Sequence, residues 1–363
     1  MNTDSRKRTG PLRDIRVLEF AGLGPAPFAA MMLSDLGADV VRLSRPAGRE
    51  RKHDATTRGR TSFEMDLKAP QNIDAVLSLA RRADVLIEGF RPGVMERLGL
   101  GPAPLLAHNP KLVYARMTGW GQTGPLAHSG GHDINYISLT GALDAIGDKR
   151  GPVIPLNLVG DYGGGALYLV TGVLAGIIEA KTTGRGQVVD CAICDGTASL
   201  MSLFYTLLAN NQVAPRGENH LDGGAHFYAA YECADGKFIS VGAGEPKFYA
   251  AFREGFGLTD AAFDEQRNHH RWPELKARTA AVVRTRTRDE WMNVFAGTDA
   301  CVTPVLSMAE APSHPHLRAR ETFVNVDGAP QPAPAPRFSA TPSSIQPSRK
   351  LTSLDELQAC WTS

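Results

Sequence analysis

Several features that settle function early are scarce in this chain. Its five cysteines are odd in number and dispersed, which excludes a disulfide framework and leaves reduced thiols as the expectation. Charge of one sign is also lacking. Lys and Arg total 39 and Asp and Glu total 38, a net charge of +1, so neither nucleic acid nor a membrane surface is an expected partner and any cationic site must be local. The longest apolar run, residues 166–178, falls short of the ~18–20 residues that a membrane span requires. Residues 1–10 are polar, unlike a signal peptide, and Cys360-Trp361-Thr362-Ser363 is not a peroxisomal tripeptide. Together these absences lead to a cytoplasmic expectation.

What is present fits a globular α/β protein of 363 residues, too long for one small core, so two domains are expected. Short apolar strands at 15–21, 39–44, 62–67, 84–90 and 112–117 recur with helical segments between them, as at 28–36 and 72–82. That alternation predicts a parallel sheet covered on both faces. A large domain is expected over 1–188, linker helices over 189–227, a smaller α+β domain over 228–320 and a proline-rich return segment over 321–363. The small domain should open on a hairpin turning at Asp235-Gly236.

The chemistry concentrates in residues 117–165. His132 stands in a short polar turn, and Asp161 precedes Gly163-Gly164-Gly165 at the start of an apolar helix predicted over 161–179. Aspartate is a favoured helix cap, but three glycines cost ~1 kcal/mol each relative to alanine, which implies that something approaches the backbone closely. A substrate oxygen placed there would meet backbone N–H groups near Asp161 and the favourable end of the helix dipole.

Other signals are weaker. The loop Gly22-Leu23-Gly24-Pro25-Ala26-Pro27 imitates a dinucleotide fingerprint, but its prolines remove N–H donors and no third glycine follows. The second strand ends in Ser44-Arg45 instead of an acidic residue, which argues against NAD. Arg45, Lys68 and Arg91 each follow a strand end, with Arg97 nearby, and such a recurrence suits a polyphosphate. Cys191 and Cys194 form a C-x-x-C with no second pair and no adjacent histidine, so core packing outweighs metal or redox chemistry, and no metal site is expected.

The segments LEFAGLGPAPFAAMMLSDLGADVVRLSRP, DVLIEGFRPGVMERLGLGP, ARMTGWGQTGP, GHDINYISLTGAL, PLNLVGDYGGG, TGRGQVVD and YECADGKFISVGAGEPKFY together resemble the α-methylacyl-CoA racemases of the family III CoA-transferase superfamily. The resemblance implies a Rossmann-like large domain completed by residues 330–363, a small domain, and an interlocked homodimer with shared active sites. It implies an acyl-CoA substrate and no separate cofactor, coenzyme A being part of the thioester. His132 in GHDINY and Asp161 in LVGDYGGG match the two racemase bases, Asn157 and Glu245 match supporting polar residues, and Arg45, Lys68, Arg91 and Arg97 match residues that hold coenzyme A.

The activity so implied is a two-base 1,1-proton transfer through an enolate, which interconverts (2R)- and (2S)-2-methylacyl-CoA. Two alternatives stay open at this point. In a CoA-transferase Asp161 would attack the thioester as a nucleophile, and a non-catalytic acyl-CoA-binding protein would use the same pocket without reaction.

Overall fold

The computed structural model describes residues 8–46 and 52–362; of the polar start at 1–10, residues 1–7 lie outside the described residues. The chain divides into two compact units. The first comprises Met1–Thr140, Leu156–Ser202 and Glu321–Ser363, and the second Gly141–Pro155 and Leu203–Arg320.

The first unit is built on a seven-stranded sheet. Its strands are β1 (Arg16–Phe20), β2 (Asp39–Ser44), β3 (Thr61–Glu64), β4 (Val85–Glu88), β5 (Val113–Thr118), β6 (Val188–Ala192) and a returning strand, Arg349–Lys350. Their order is Arg349–Lys350, β3, β2, β1, β4, β5, β6, and each pairing is parallel. The apolar runs of β1, β4 and β5 are buried because helices cover both faces. On one face α1 (Pro25–Asp35), the long helix ending at Thr183 and β6 enclose Val17, Ile87, Val113, Leu169 and Val173. On the other, α2 (Pro70–Ala80) and α3 (Pro102–His108) cover Leu18, Val41, Leu86 and Tyr114.

The order of the strands reverses direction between β1 and β4, so the loops leaving these two strands diverge and open a crevice at the sheet's carboxyl edge. Arg45, Lys68 and Arg91 all lie beyond carboxyl ends of parallel strands, hence on that same edge. The domain boundaries differ from the sequence expectation. Residues 188–192 form an edge strand beside β5, so 189–202 belong to the first unit and are not a linker. The second unit also takes in 141–155, whose short strands Gly147–Asp148 and Gly151–Pro152 pair as a hairpin.

The second unit holds a three-stranded antiparallel sheet in which Tyr228–Glu232 and Phe238–Gly242 form the hairpin turning at Gly236, whose φ of +72° is left-handed. Phe227, Phe252, Phe263, Trp272 and Trp291 fill its core.

Helical structure runs without a break over Leu158–Thr183, 26 residues whose most apolar stretch has a mean hydropathy of 1.5, long and apolar enough to cross a membrane by length and composition. The sequence expectation missed this length because the helix starts before the apolar run, at Leu158. Half of its most apolar window is buried inside the protein.

A buried ion-pair set ties the first unit's sheet to its return segment. Arg60 donates to Glu19 at 3.1 Å and to the Pro27 carbonyl, while Arg58 pairs with Asp35 at 2.6 Å and donates to Pro332 O at 2.8 Å. Glu19 is fully buried at the end of β1, and Arg42 stands 3.7 Å from it. Replacing Arg60 with Met removes the guanidinium nearest this carboxylate, which should cost ~3–5 kcal/mol in denaturant unfolding. Adding Glu19→Leu to that variant should recover much of the loss; an unchanged unfolding midpoint in Arg60→Met would contradict the assignment.

Candidate functional site

The site is assembled from three pieces of the first unit that meet near the β1–β4 crevice. The first is the turn from β1 into α1. Pro25 and Pro27 sit in the first turn of α1, where a missing N–H is harmless, and Gly24 precedes them with φ +68° and ψ −121°. A Cβ on Gly24 would stand 2.9 Å from Asp161 Oδ2. This glycine loop therefore lies against a carboxylate of its own chain, where a dinucleotide fingerprint would face a pyrophosphate.

The second piece is α4 (Asp133–Leu139), for which His132 is the N-cap. The His132 N–H donates to Asn135 Oδ1 at 3.0 Å, and the Asn135 N–H returns to His132 O at 2.8 Å. These bonds fix the backbone and leave the exposed imidazole outside the cap. Tyr136, one turn along, donates to Gly131 O and meets Trp120 edge-on at 4.8 Å. Glycines at 119 and 131 make room for its ring, since a Cβ at either would overlap it.

The third piece is the segment Leu158–Leu167, which winds as a π-helix before continuing into α5 (Tyr168–Thr183). Tyr162 N–H bonds Asn157 O at 3.2 Å in the wider i→i+5 pattern, and the Tyr162 ring stacks on Phe28 at 4.1 Å. The sequence predicted an α-helix beginning at Asp161. Instead the helical segment opens at Leu158, so Asp161 is an interior residue of the π-turn, and its N–H donates to Asp133 Oδ1 at 2.6 Å.

Two expectations are corrected here. The N–H groups at Gly160 and Asp161 already bond the Asp133 carboxylate and are not free for a substrate oxygen. The glycine run 163–165 admits protein rather than ligand. A Cβ on Gly164 would lie 2.4 Å from Thr197 Oγ1 on α6 (Ile193–Leu200), and one on Gly165 would lie 3.0 Å from Pro25 Cβ.

The structure therefore brings His132, Asp161 and Asn157 together. The Asn157 side chain hydrogen-bonds the Asp161 carboxyl, and His132 lies within its Coulombic reach. Burial raises the Asp161 pKa above the ordinary carboxylate range, and the neighbouring Asp133 charge raises it further; Asn157 and His132 oppose the shift without cancelling it. Arg91 lies 3.4 Å from where a Gly130 Cβ would stand and lines a cleft of about 140 Å³ with Thr118, Trp120 and Tyr136. Arg45 and Lys68 are exposed at the same sheet edge, and Arg97, also exposed, ends the short helix Val94–Arg97. Glu245 belongs to the second unit, where it is exposed and N-caps the helix Pro246–Phe256. Sequence reasoning missed Gly24, Asp133 and Tyr136. For Asp133 the available signal was Gly160, a glycine directly before the candidate base.

A carboxyl whose pKa is raised in the fold is destabilising once it ionises. Relative to the unfolded chain, that penalty is present at neutral pH and disappears as pH falls through the folded pKa toward the unfolded value. Asp161→Asn should therefore melt about 2 °C or more above the parent at pH 7, with the gap closing as the pH falls. A variant less stable than the parent at pH 7 would contradict this reading.

Comparison with known proteins identifies the family of the chain. The profile of CoA-transferase family III matches residues 12–350. The chain is 47% identical over 336 residues to the alpha-methylacyl-CoA racemase of Mus musculus, covering 92% of this chain and 87% of that protein. It is 45% identical over 330 residues to the Homo sapiens alpha-methylacyl-CoA racemase, with 89% and 86% covered. The crystal structure of a CAIB/BAIF family protein from Brucella suis superposes with a TM-score of 0.82 at 26% identity over 97% of this chain and 98% of that one. With the sheet, both sequence relatives and the profile in agreement over nearly its whole length, the chain belongs to CoA-transferase family III.

Proposed function

We propose that the protein is a racemase that interconverts the (2R) and (2S) forms of a 2-methylacyl-CoA thioester, one of His132 and Asp161 taking the α-proton and the other returning a proton to the opposite face. The observation that carries this reading is the pairing itself. A half-buried carboxyl with raised proton affinity and an exposed imidazole sit on two neighbouring segments of one unit. The identity to two proteins named as racemases supports it.

In this reaction one base takes the α-proton, and the electron pair moves toward the thioester to give an enolate with its charge on oxygen. The conjugate acid of the other base then returns a proton to the opposite face. A carboxyl that holds its proton firmly suits that return better than it suits attack as a nucleophile. The enolate oxygen needs donors, and those at 160 and 161 are occupied. The N–H groups of Asp133 and Ile134, which open α4 without intrahelical acceptors, are the donors we assign.

The coenzyme A portion of the substrate would lie along the sheet edge, its phosphates met by Arg45, Lys68, Arg91 and Arg97. No separate cofactor enters the reaction. We further propose a homodimer, in which Glu245 of one chain supports His132 of the other. Exposed apolar side chains support a second copy: Leu158, Leu167 and Leu200 on the first unit, and Leu203, Tyr205 and Leu208 on the second. The cytoplasm is the compartment we assign.

The test is α-proton exchange in heavy water with a single 2-methylacyl-CoA enantiomer and no free acid present. Deuterium should appear at the α-carbon while the opposite enantiomer accumulates. His132→Ala should abolish inversion and leave acyl-CoA binding intact. Transfer of coenzyme A that requires an added carboxylic acid would support the transferase instead, and binding without exchange would reduce the protein to a carrier.

A further inference from the structure

The Asp133 carboxylate has no assigned contact with the substrate, yet it links the segments that carry the two candidate bases. It follows His132 in sequence, and across space its Oδ1 accepts the Asp161 N–H at 2.6 Å and the Gly160 N–H beside it. The side chain is 9% exposed, and Oδ2 has no hydrogen-bond partner among the described residues. The close approach depends on position 160 being glycine, because a Cβ there would lie 2.3 Å from Asp133 Oδ1. Gly160 and Asp133 thus form one latch between the start of α4 and the π-turn.

We propose that Asp133 is a positioning residue that fixes the Asp161 carboxyl against the reaction centre and, through its charge, keeps Asp161 able to hold a proton. The inference rests on the racemase reading above and adds to it how two unlike bases are brought toward equal proton affinity. A neutral amide oxygen would accept the same two N–H groups. What a carboxylate adds is a buried negative charge beside Asp161, and a like charge disfavours ionisation of its neighbour.

The other groups around Asp161 do not supply this effect. From α4, His132 acts in the opposite sense, and Tyr136 feels the charges of both Asp161 and Arg91. Asn157 donates to Asp161 from the start of the π-turn. The turn into α1 presents Gly24 and Pro25, and α6 presents Thr197 to Gly164, all uncharged, while the Cys194 thiol of α6 donates to Asp195. Burial is the larger cause of the raised proton affinity of Asp161, and the Asp133 charge adds to it in the same direction.

The experiment compares wild type, Asp133→Asn and Asp133→Ala in the full-length protein with two readouts. The first is the pH profile of kcat/KM for α-proton exchange. Its acidic limb reports the coupled Asp133–Asp161 pair and should move down by roughly one pH unit in Asp133→Asn, with the acyl-CoA KM held within about twofold. Asp133→Ala, which strands both N–H groups, should lose about a hundredfold or more in kcat, and Asp133→Asn should restore part of that loss. The second readout is a ¹³C-carboxyl NMR titration of Asp161 in wild type and Asp133→Asn, which needs no activity; its midpoint should fall in the variant. An unmoved Asp161 midpoint, or an unmoved limb, overturns the proposal. Absence of exchange by the wild type would instead overturn the racemase reading, and the NMR midpoint would still decide the role of Asp133.

Discussion

Everything at this site depends on one buried hydrogen-bonding constraint: a carboxylate at the first residue of one helix holds two backbone N–H groups of another. That bond joins the π-turn over Leu158–Leu167 to the start of α4. With it, the chain direction at Asp161 is fixed relative to His132, and the distance across which a proton would travel is set by backbone rather than by long side chains. Close packing reinforces the constraint. Gly160 admits the Asp133 carboxylate, Gly164 admits Thr197, and Gly24 admits the Asp161 carboxyl itself.

The parallel sheet turns this local constraint into a binding site. Strand order reverses between β1 and β4, so the loop that carries Gly24 and the loop that carries Arg91 leave opposite sides of the crevice. Cations beyond successive strand ends then line one edge, although the chain as a whole carries a charge of only +1. A polyanionic substrate can be held at that edge while its acyl end reaches a partly buried carboxyl. Burial of Asp161 also weakens folding, since the ionised form is disfavoured in the place where the proposed chemistry needs it.

Much of the architecture is legible from local pattern. The runs at 15–21, 84–90 and 112–117 read as strands because their apolar residues recur on both faces, whereas 188–192 carries Asp190 and buries only its last two residues. What local pattern does not carry is the pairing order, nor the break that assigns 141–155 to the second unit, because both are settled by contacts between distant segments. At the site, His132 and Asp161 stand out as unlike titratable groups in one stretch. Asp133 does not, because an aspartate in the first turn of a helix is ordinary and its partners lie 28 residues away. The glycine run misled for a related reason: it marks a close approach correctly, but whether a ligand or a neighbouring helix approaches is a tertiary fact.

The central claim is that His132 and Asp161 serve opposite faces of one carbon. The most direct measurement follows deuterium uptake separately for resolved (2R)- and (2S)-2-methylacyl-CoA in Asp161→Asn and His132→Ala. The account predicts that each variant loses inversion and that each exchanges one enantiomer only, the two variants choosing opposite hands. Retention of inversion by either variant, or exchange of the same enantiomer by both, would contradict it.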